Sequence, residues 1–279
     1  MGEFKRPGRS HRIPVAEPVV YPVHQGKRFL VTGGTGGVGS VTAELLVKEG
    51  ASVVIADVSE PAAVKLAESL GGSEHGVHGL GLDLTDESSV HAAVDRTVSL
   101  LGGIDGLANV AGIVKMAPAL EHFRPLWDDQ FAVNVFGPFE ITRLVAERMI
   151  GQGTGGSIVN VASEAGKKGH PDMLAYNASK AAIINLTRVA AEEWAQYSIN
   201  VNCVCPGGVE TPMLHQVADT HATQTAEYAD EIFSFMANEQ LGRHIAPIEV
   251  ASVISFLLGD RVQAVRGQSI NVDGGSCPY

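Results

Sequence analysis

The sequence predicts an α/β fold: a single-domain, Rossmann-like, doubly wound parallel sheet with a helical substrate lid. Three observations predict it. From Lys27 onward, short apolar runs alternate with segments of helical length. Glycines, frequent at 32 residues, collect at the ends of the apolar runs, which favours many short strand-to-helix turns. No second domain and no longer internal repeat interrupts the alternation. Strands alternating with helices call for right-handed crossovers and a sheet covered on both faces.

In chain order, residues 1–26 carry Pro7, Pro14, Pro18 and Pro22 with little periodicity, and read as a flexible or loosely docked extension. The domain is expected over 27–279. Strands are predicted at 28–32, 52–56, 77–82, 104–109, 157–162, 199–205 and 268–272. Helices are predicted near 38–49, 60–70, 86–101, 126–150, 173–197 and 247–258. The stretch 207–245 breaks the rhythm. It is polar and rich in Thr, His and Asp, yet it holds Met213, Leu214, Tyr228, Phe233, Phe235 and Met236. A segment this long before the next regular helix predicts a lid over a site, against the plainer alternative of a surface insertion.

The net charge of −11 argues against a nucleic-acid surface, because phosphate contacts need clustered Lys and Arg. No apolar stretch approaches the roughly 20 residues of a membrane helix, and no apolar run follows the basic residues near the N-terminus as a signal peptide requires. A cytoplasmic protein is the expectation. Cys203, Cys205 and Cys277 give an odd count without a partner pair, so buried structural thiols are expected rather than a disulfide framework or a thiolate zinc site. The ten histidines show no metal spacing, and no metal is expected.

The first strand runs into Thr32-Gly33-Gly34-Thr35-Gly36-Gly37-Val38-Gly39 and then into a helix. A glycine-rich turn between strand and helix lets backbone N–H groups approach a pyrophosphate at the helix N-terminus. Asp57 closes the second apolar run, where a carboxylate accepts hydrogen bonds from the adenosine ribose hydroxyls and repels a 2′-phosphate. No Arg or Lys lies in the glycine loop or directly after Asp57, so NAD is preferred over NADP. As an alternative role, Asp57 caps the helix starting near Glu60.

Tyr176 and Lys180 are one turn apart on a strongly apolar helix and share a face. A free tyrosine, with a pKa near 10, is a poor base at neutral pH. A nearby ammonium, together with a nicotinamide cation, would stabilise the phenolate. Such a pair also occurs on ordinary solvated helix faces.

Taken with their neighbours, these residues resemble the short-chain dehydrogenase/reductase family over residues 27–275. The Thr-Gly-x-x-x-Gly-x-Gly loop of that family is matched by Thr32, Gly33, Gly37 and Gly39, and its acidic residue after the third strand by Asp83. Asn109-Val110-Ala111-Gly112 resembles its Asn-Asn-Ala-Gly element, with Val110 in place of the second Asn. Asn134 and Ser163 match its catalytic Asn and Ser, with Ala162 where a second Ser is frequent, and Pro206-Gly207 its nicotinamide turn, followed by Val209 and Thr211.

The resemblance implies a catalytic set of Asn134, Ser163, Tyr176 and Lys180. Tyr176 would exchange the hydroxyl proton, Ser163 would steady the substrate oxygen, Lys180 would lower the tyrosine pKa and hold the nicotinamide ribose, and Asn134 would hold a water leading to Lys180. The implied cofactor set is Gly33, Thr35, Gly37, Val38, Gly39, Asp57, Val58, Asp83, Leu84, Asn109, Ala111, Gly112, Tyr176, Lys180, Pro206, Gly207, Val209 and Thr211, with Asp83 facing the adenine.

Substrate residues are expected among Ser163, Glu164, His170, Met173 and Met213, with Val114, Met116, Val209 and Leu214 nearby. Lys167 and Lys168 either favour an anionic substrate or form a solvated loop. The predicted reaction is hydride transfer between NAD and a secondary alcohol or ketone, of the polyol, diol or cyclic hydroxy type. The alternatives are an NADPH-dependent 3-ketoacyl or polyketide ketoreductase and a non-enzymatic nucleotide-sensing scaffold. The apolar surfaces of helices 126–150 and 173–197 exceed what one sheet face covers, and in the family such helices pair between subunits, so a homotetramer is expected, with a dimer as the alternative.

Overall fold

The computed structural model describes residues 12–16, 18–225 and 228–277. Seven strands, β1 (Arg28–Thr32), β2 (Ser52–Asp57), β3 (Val77–Gly81), β4 (Gly106–Asn109), β5 (Gly156–Val161), β6 (Ile199–Pro206) and β7 (Ser269–Val272), form one sheet. Their order is β3-β2-β1-β4-β5-β6-β7, and every neighbouring pair is parallel. The order reverses between β1 and β4, so a crevice opens there at the carboxyl ends of the strands.

Burial on both faces explains why the strands are near-continuous aliphatic runs. Helices α1 (Gly37–Lys48), α2 (Glu60–Ser69) and α9 (Pro247–Leu258) cover one face, packing Ala43, Leu46, Ala63, Val250 and Ile254 on Phe29, Val53 and Val159. Helices α3 (Glu87–Leu101), α5 (Gly137–Gln152) and α6 (Leu174–Trp194) cover the other, packing Val90, Val94, Ile141, Val145 and Ala190 on Leu30, Val54 and Ile158. All three cysteines are buried. Among the described residues, no helix is long and apolar enough to cross a membrane.

Several element boundaries differ from the sequence expectation by a residue or more, and two of the differences stand out. Strand β4 starts at Gly106 and not at 104. The backbone N–H and carbonyl of Ile104 are both taken by the Gln152 amide, at 2.8 Å each, which holds that residue in the turn. The single helix expected over 126–150 is α4 (Arg124–Phe131), a π turn (Ala132–Phe136) and then α5.

The expected extension at 1–26 falls partly on residues 1–11 and 17, which lie outside those described. Its described part is tied to the domain. The Ile13 N–H donates to the Leu241 carbonyl at 3.0 Å, and Arg243 Nε donates to the Ile13 carbonyl at 2.6 Å. His24 is fully buried, edge-on to Phe29, with Nε2 3.0 Å from Ser255 Oγ.

Candidate active site

At the crevice, the β1–α1 turn is built from glycines because nothing larger fits. A side chain at Gly39 would put its Cβ 2.0 Å from the Gly33 carbonyl oxygen. Gly33 itself has φ +61°, and a Cβ there would stand 2.6 Å from the Ala111 backbone. Helix α1 follows an extended Gly36 with no side-chain cap, so its first N–H groups are left for a ligand. Asp57 closes the loop from the side: its carboxylate accepts from the Thr35 N–H at 3.0 Å. Asp83 is set by Thr85, whose N–H and hydroxyl both donate to one carboxylate oxygen.

At the other end, Ser163 follows β5, and its Oγ accepts from the Ala165 N–H at 3.1 Å. Tyr176 lies in the first turn of α6, with its hydroxyl close to Ser163. Lys180, one turn on and only 4% exposed, donates from Nζ to the Val161 carbonyl at 3.0 Å. Burial pushes the Tyr176 hydroxyl above its ordinary value; the nearby Ser163 hydroxyl opposes this, and the Glu164 charge adds to it. Burial also pushes Lys180 down to about 8. The expectation that Lys180 lowers the Tyr176 pKa is therefore not what governs this protein alone. Taking the phenolate out of water is the larger effect.

These two ends belong to one cleft of about 1200 Å³. Helices α7 (Pro212–Thr225) and α8 (Ala229–Phe235) lie over 207–245, and Met213, Leu214, Val217 and Phe235 face the cleft. Phe233 is held between His215 and His244, with ring centroids 4.0 and 4.1 Å away, which ties both helices to the segment leading into α9.

A sequence profile described as short chain dehydrogenase matches residues 27–222. The chain belongs to this family. A 3-oxoacyl-(acyl-carrier-protein) reductase FabG of Thermotoga maritima is 39% identical over 254 residues, which is 90% of this chain and 98% of that protein. A 2,5-dichloro-2,5-cyclohexadiene-1,4-diol dehydrogenase of Sphingobium indicum is 37% identical over 255 residues, covering 90% and 96%. A crystal structure of an actinorhodin polyketide ketoreductase with NADPH superposes with a TM-score of 0.85 at 32% identity, covering 94% of this chain and all of that one. The chain is thus an oxidoreductase of a family that binds a nicotinamide cofactor and acts on hydroxyl groups.

In this short-chain dehydrogenase the cleft gathers nearly all of the residues expected from sequence. Gly33, Thr35, Gly37, Val38, Gly39, Asp57, Val58, Asp83, Leu84, Ala111 and Gly112 line it. Ser163, Glu164, His170, Met173, Tyr176, Lys180, Pro206, Gly207, Val209, Thr211 and Met213 line it too, with Val114 and Leu214.

Three expected residues lie outside the cleft lining: Asn109, Asn134 and Met116. Asn109 is a buried strut, donating to Thr142, Asn160 and the Pro138 carbonyl while accepting from Thr32. Asn134, in the π turn, is 1% exposed and clamps the Ile113 backbone. Its Oδ1 accepts from the Ile113 N–H and its Nδ2 donates to the Ile113 carbonyl, each at 2.9 Å. Nδ2 also reaches Ser179 Oγ at 3.1 Å. Its side chain thus fixes the strand-end loop behind Lys180.

Lys167 and Lys168 separate. Lys167 Nζ bonds the Ser269 carbonyl and Asn271 and braces β7, whereas Lys168 lines the cleft. Sequence reasoning missed the far wall, formed by Asn238, Gln240, Asp273 and Ser276. The Gly274-Gly275 pair was the available signal: both have positive φ, which turns the chain back beside the cleft.

Proposed function

We propose that this chain is an NAD-dependent dehydrogenase of secondary alcohols, of the polyol, diol or cyclic hydroxy type. The observation that carries the reading is the uneven charge of the cleft. Asp57 stands at the nucleotide end, and the only Lys or Arg side chains lining the cleft, Lys168 and Lys180, are at the chemical end among the described residues. A 2′-phosphate would meet a carboxylate with no cation beside it. The uncapped α1 terminus and the glycine turn provide backbone donors suited to a pyrophosphate.

Once bound, the nicotinamide supplies the hydride acceptor. The chain's own residues handle the oxygen and its proton. Ser163 Oγ and the Tyr176 hydroxyl, which lie close to one another in the cleft, converge on the position of the substrate oxygen. Tyr176 takes the hydroxyl proton during oxidation and returns it during reduction. Lys180 supplies positive charge behind the tyrosine and a donor for the nicotinamide ribose, while Asn134 acts indirectly by holding the Ile113 loop. Helices α7 and α8 serve as the lid that keeps water from the reacting centre. The exposed Phe136, Phe139 and Val189 support a homotetramer built on α5 and α6.

A second reading, NADPH-dependent ketoreduction, is favoured by the similarity to the Thermotoga reductase and to the ketoreductase with NADPH. Steady-state rates separate the two. NAD⁺ reduction with simple secondary alcohols and diols should exceed NADP⁺ reduction at least about tenfold, equivalent to about 1.4 kcal/mol. A preference for NADPH with 3-ketoacyl thioesters overturns the proposal.

A further inference from the structure

Next to Ser163, the cleft holds an ionisable group that proton transfer to Tyr176 does not use. Glu164 heads the short 3₁₀ turn after β5, and its side chain is 13% exposed. Its Oε1 lies 3.4 Å from His170 Nε2, and its Oε2 accepts from the Ser276 hydroxyl. A Cβ at Gly207 would stand 3.3 Å from Oε2, so the carboxylate adjoins the Pro206-Gly207 turn as well as the serine. His170 and Ser276 line the same cleft.

Burial favours the neutral acid, but His170, Ser276 and the charge of Lys168 outweigh it and hold the Glu164 carboxyl below the usual carboxylate range. An ionised carboxylate offers about four acceptor positions, and the two neighbours use two of them. What remains is acceptor capacity, with negative charge, within one residue of Ser163. A substrate hydroxyl meets that capacity with a charge-assisted hydrogen bond. A purely apolar group would leave a buried charge under-solvated, and a carboxylate or phosphate would be repelled.

We infer that Glu164, positioned by His170 and Ser276, selects substrates carrying a second hydroxyl next to the carbinol that is oxidised. The inference rests on the dehydrogenase reading above and narrows its substrate class to uncharged vicinal diols and polyols. The chemistry balances as an ordinary oxidation. The carbinol C–H leaves as hydride to NAD⁺, the O–H proton goes to Tyr176, and the product is an α-hydroxyketone whose remaining hydroxyl stays on Glu164.

The test compares matched pairs: butane-2,3-diol against butan-2-ol, and cyclohexane-1,2-diol against cyclohexanol, each with NAD⁺. The wild-type kcat/KM ratio of diol to mono-alcohol should be about 50 or more, as expected when a site is built to bond one hydroxyl. Glu164→Leu should bring that ratio within about threefold of one, and Glu164→Gln should leave it intermediate. Melting temperature and NADH fluorescence titration report whether each variant is folded; if Glu164→Leu is not, the near-isosteric Glu164→Gln decides. A wild-type ratio near one, or a ratio unchanged in the folded variants, overturns the role of Glu164 and leaves the dehydrogenase reading standing. Absence of turnover with all four alcohols overturns the dehydrogenase reading, and the inference with it.

Discussion

The Lys180 ammonium lies 5.7 Å from the centre of the Tyr176 ring, and burial moves the two groups in opposite directions, the phenol up and the amine down. Both shifts favour the uncharged form. Tyr176 is therefore held protonated, and the proposed role as base toward an alcohol requires that it first lose that proton.

The pH dependence follows. In the oxidation direction kcat/KM should rise with pH across about pH 7 to 10, because the base form of Tyr176 is required and its pKa lies above the ordinary value near 10 before ligands bind. In the reduction direction the rate should hold over the same range and fall only above about pH 10, where the acid form is lost. Steady-state profiles with a carbinol-deuterated substrate, for which hydride transfer shows an isotope effect, provide the check. A flat oxidation profile with a full isotope effect contradicts a tyrosine base.

Removing the buried lysine should stabilise the fold while disabling it. Lys180 titrates at about 8 in the folded chain against 10.5 for the free side chain. Below about pH 8 both folded and unfolded chains carry the proton, and the folded one bears the full cost of burying it. Between about pH 8 and 10.5 the unfolded chain binds more protons, so this group's penalty is relieved as pH rises. A shift of this size corresponds to about 3 kcal/mol, and the lost bond to Val161 returns about 1 kcal/mol. Lys180→Met is expected to gain about 1–2 kcal/mol at pH 7, with the gain shrinking toward pH 10, and to lose at least about a hundredfold in kcat. Denaturant unfolding at the two pH values tests it; a destabilised variant at pH 7 contradicts it.

Cofactor choice should respond to Asp57. Its carboxylate accepts from the Thr35 N–H and supplies the negative charge at the nucleotide end of the cleft. Asp57→Ser keeps a short acceptor for that N–H and removes the charge. The ratio of kcat/KM for NADPH over NADH should rise about tenfold or more, equivalent to about 1.4 kcal/mol. An unchanged ratio would assign discrimination to another part of the site.

Much of this architecture is legible in the sequence because the forces that set it are local or periodic. Strands buried on both faces are continuous aliphatic runs, and the Thr32–Gly39 turn announces itself through glycines that close approach requires. The π turn at Ala132–Phe136 is not legible: the apolar stripe continues through it, and a single wide turn leaves no mark on helical periodicity. The same turn carries Asn134, whose bonds to the Ile113 backbone depend on a loop distant in sequence. Ser276 on Glu164 is a pairing across 112 positions. Residue spacing carries no signal for it, because only the return of the chain after β7 brings the two together.

Phe136, Phe139 and Ile150 on the α5 side, with Leu174 and Val189 on α6, are 38–63% exposed, although these helices flank the buried sheet. Scattered exposed apolar residues are ordinary, but large ones concentrated on two neighbouring helices suit a self-complementary contact. Phe139 is the one to change, since it is 44% exposed and makes none of the bonds that hold the Ile113 loop. Phe139→Glu should convert a tetramer to dimers in sedimentation equilibrium, because burying two like charges across a two-fold axis costs several kcal/mol. The isolated fold loses little, because the side chain is already half in water. Wild-type protein sedimenting as a monomer, or a variant sedimenting as the wild-type does, would show that the contact lies elsewhere.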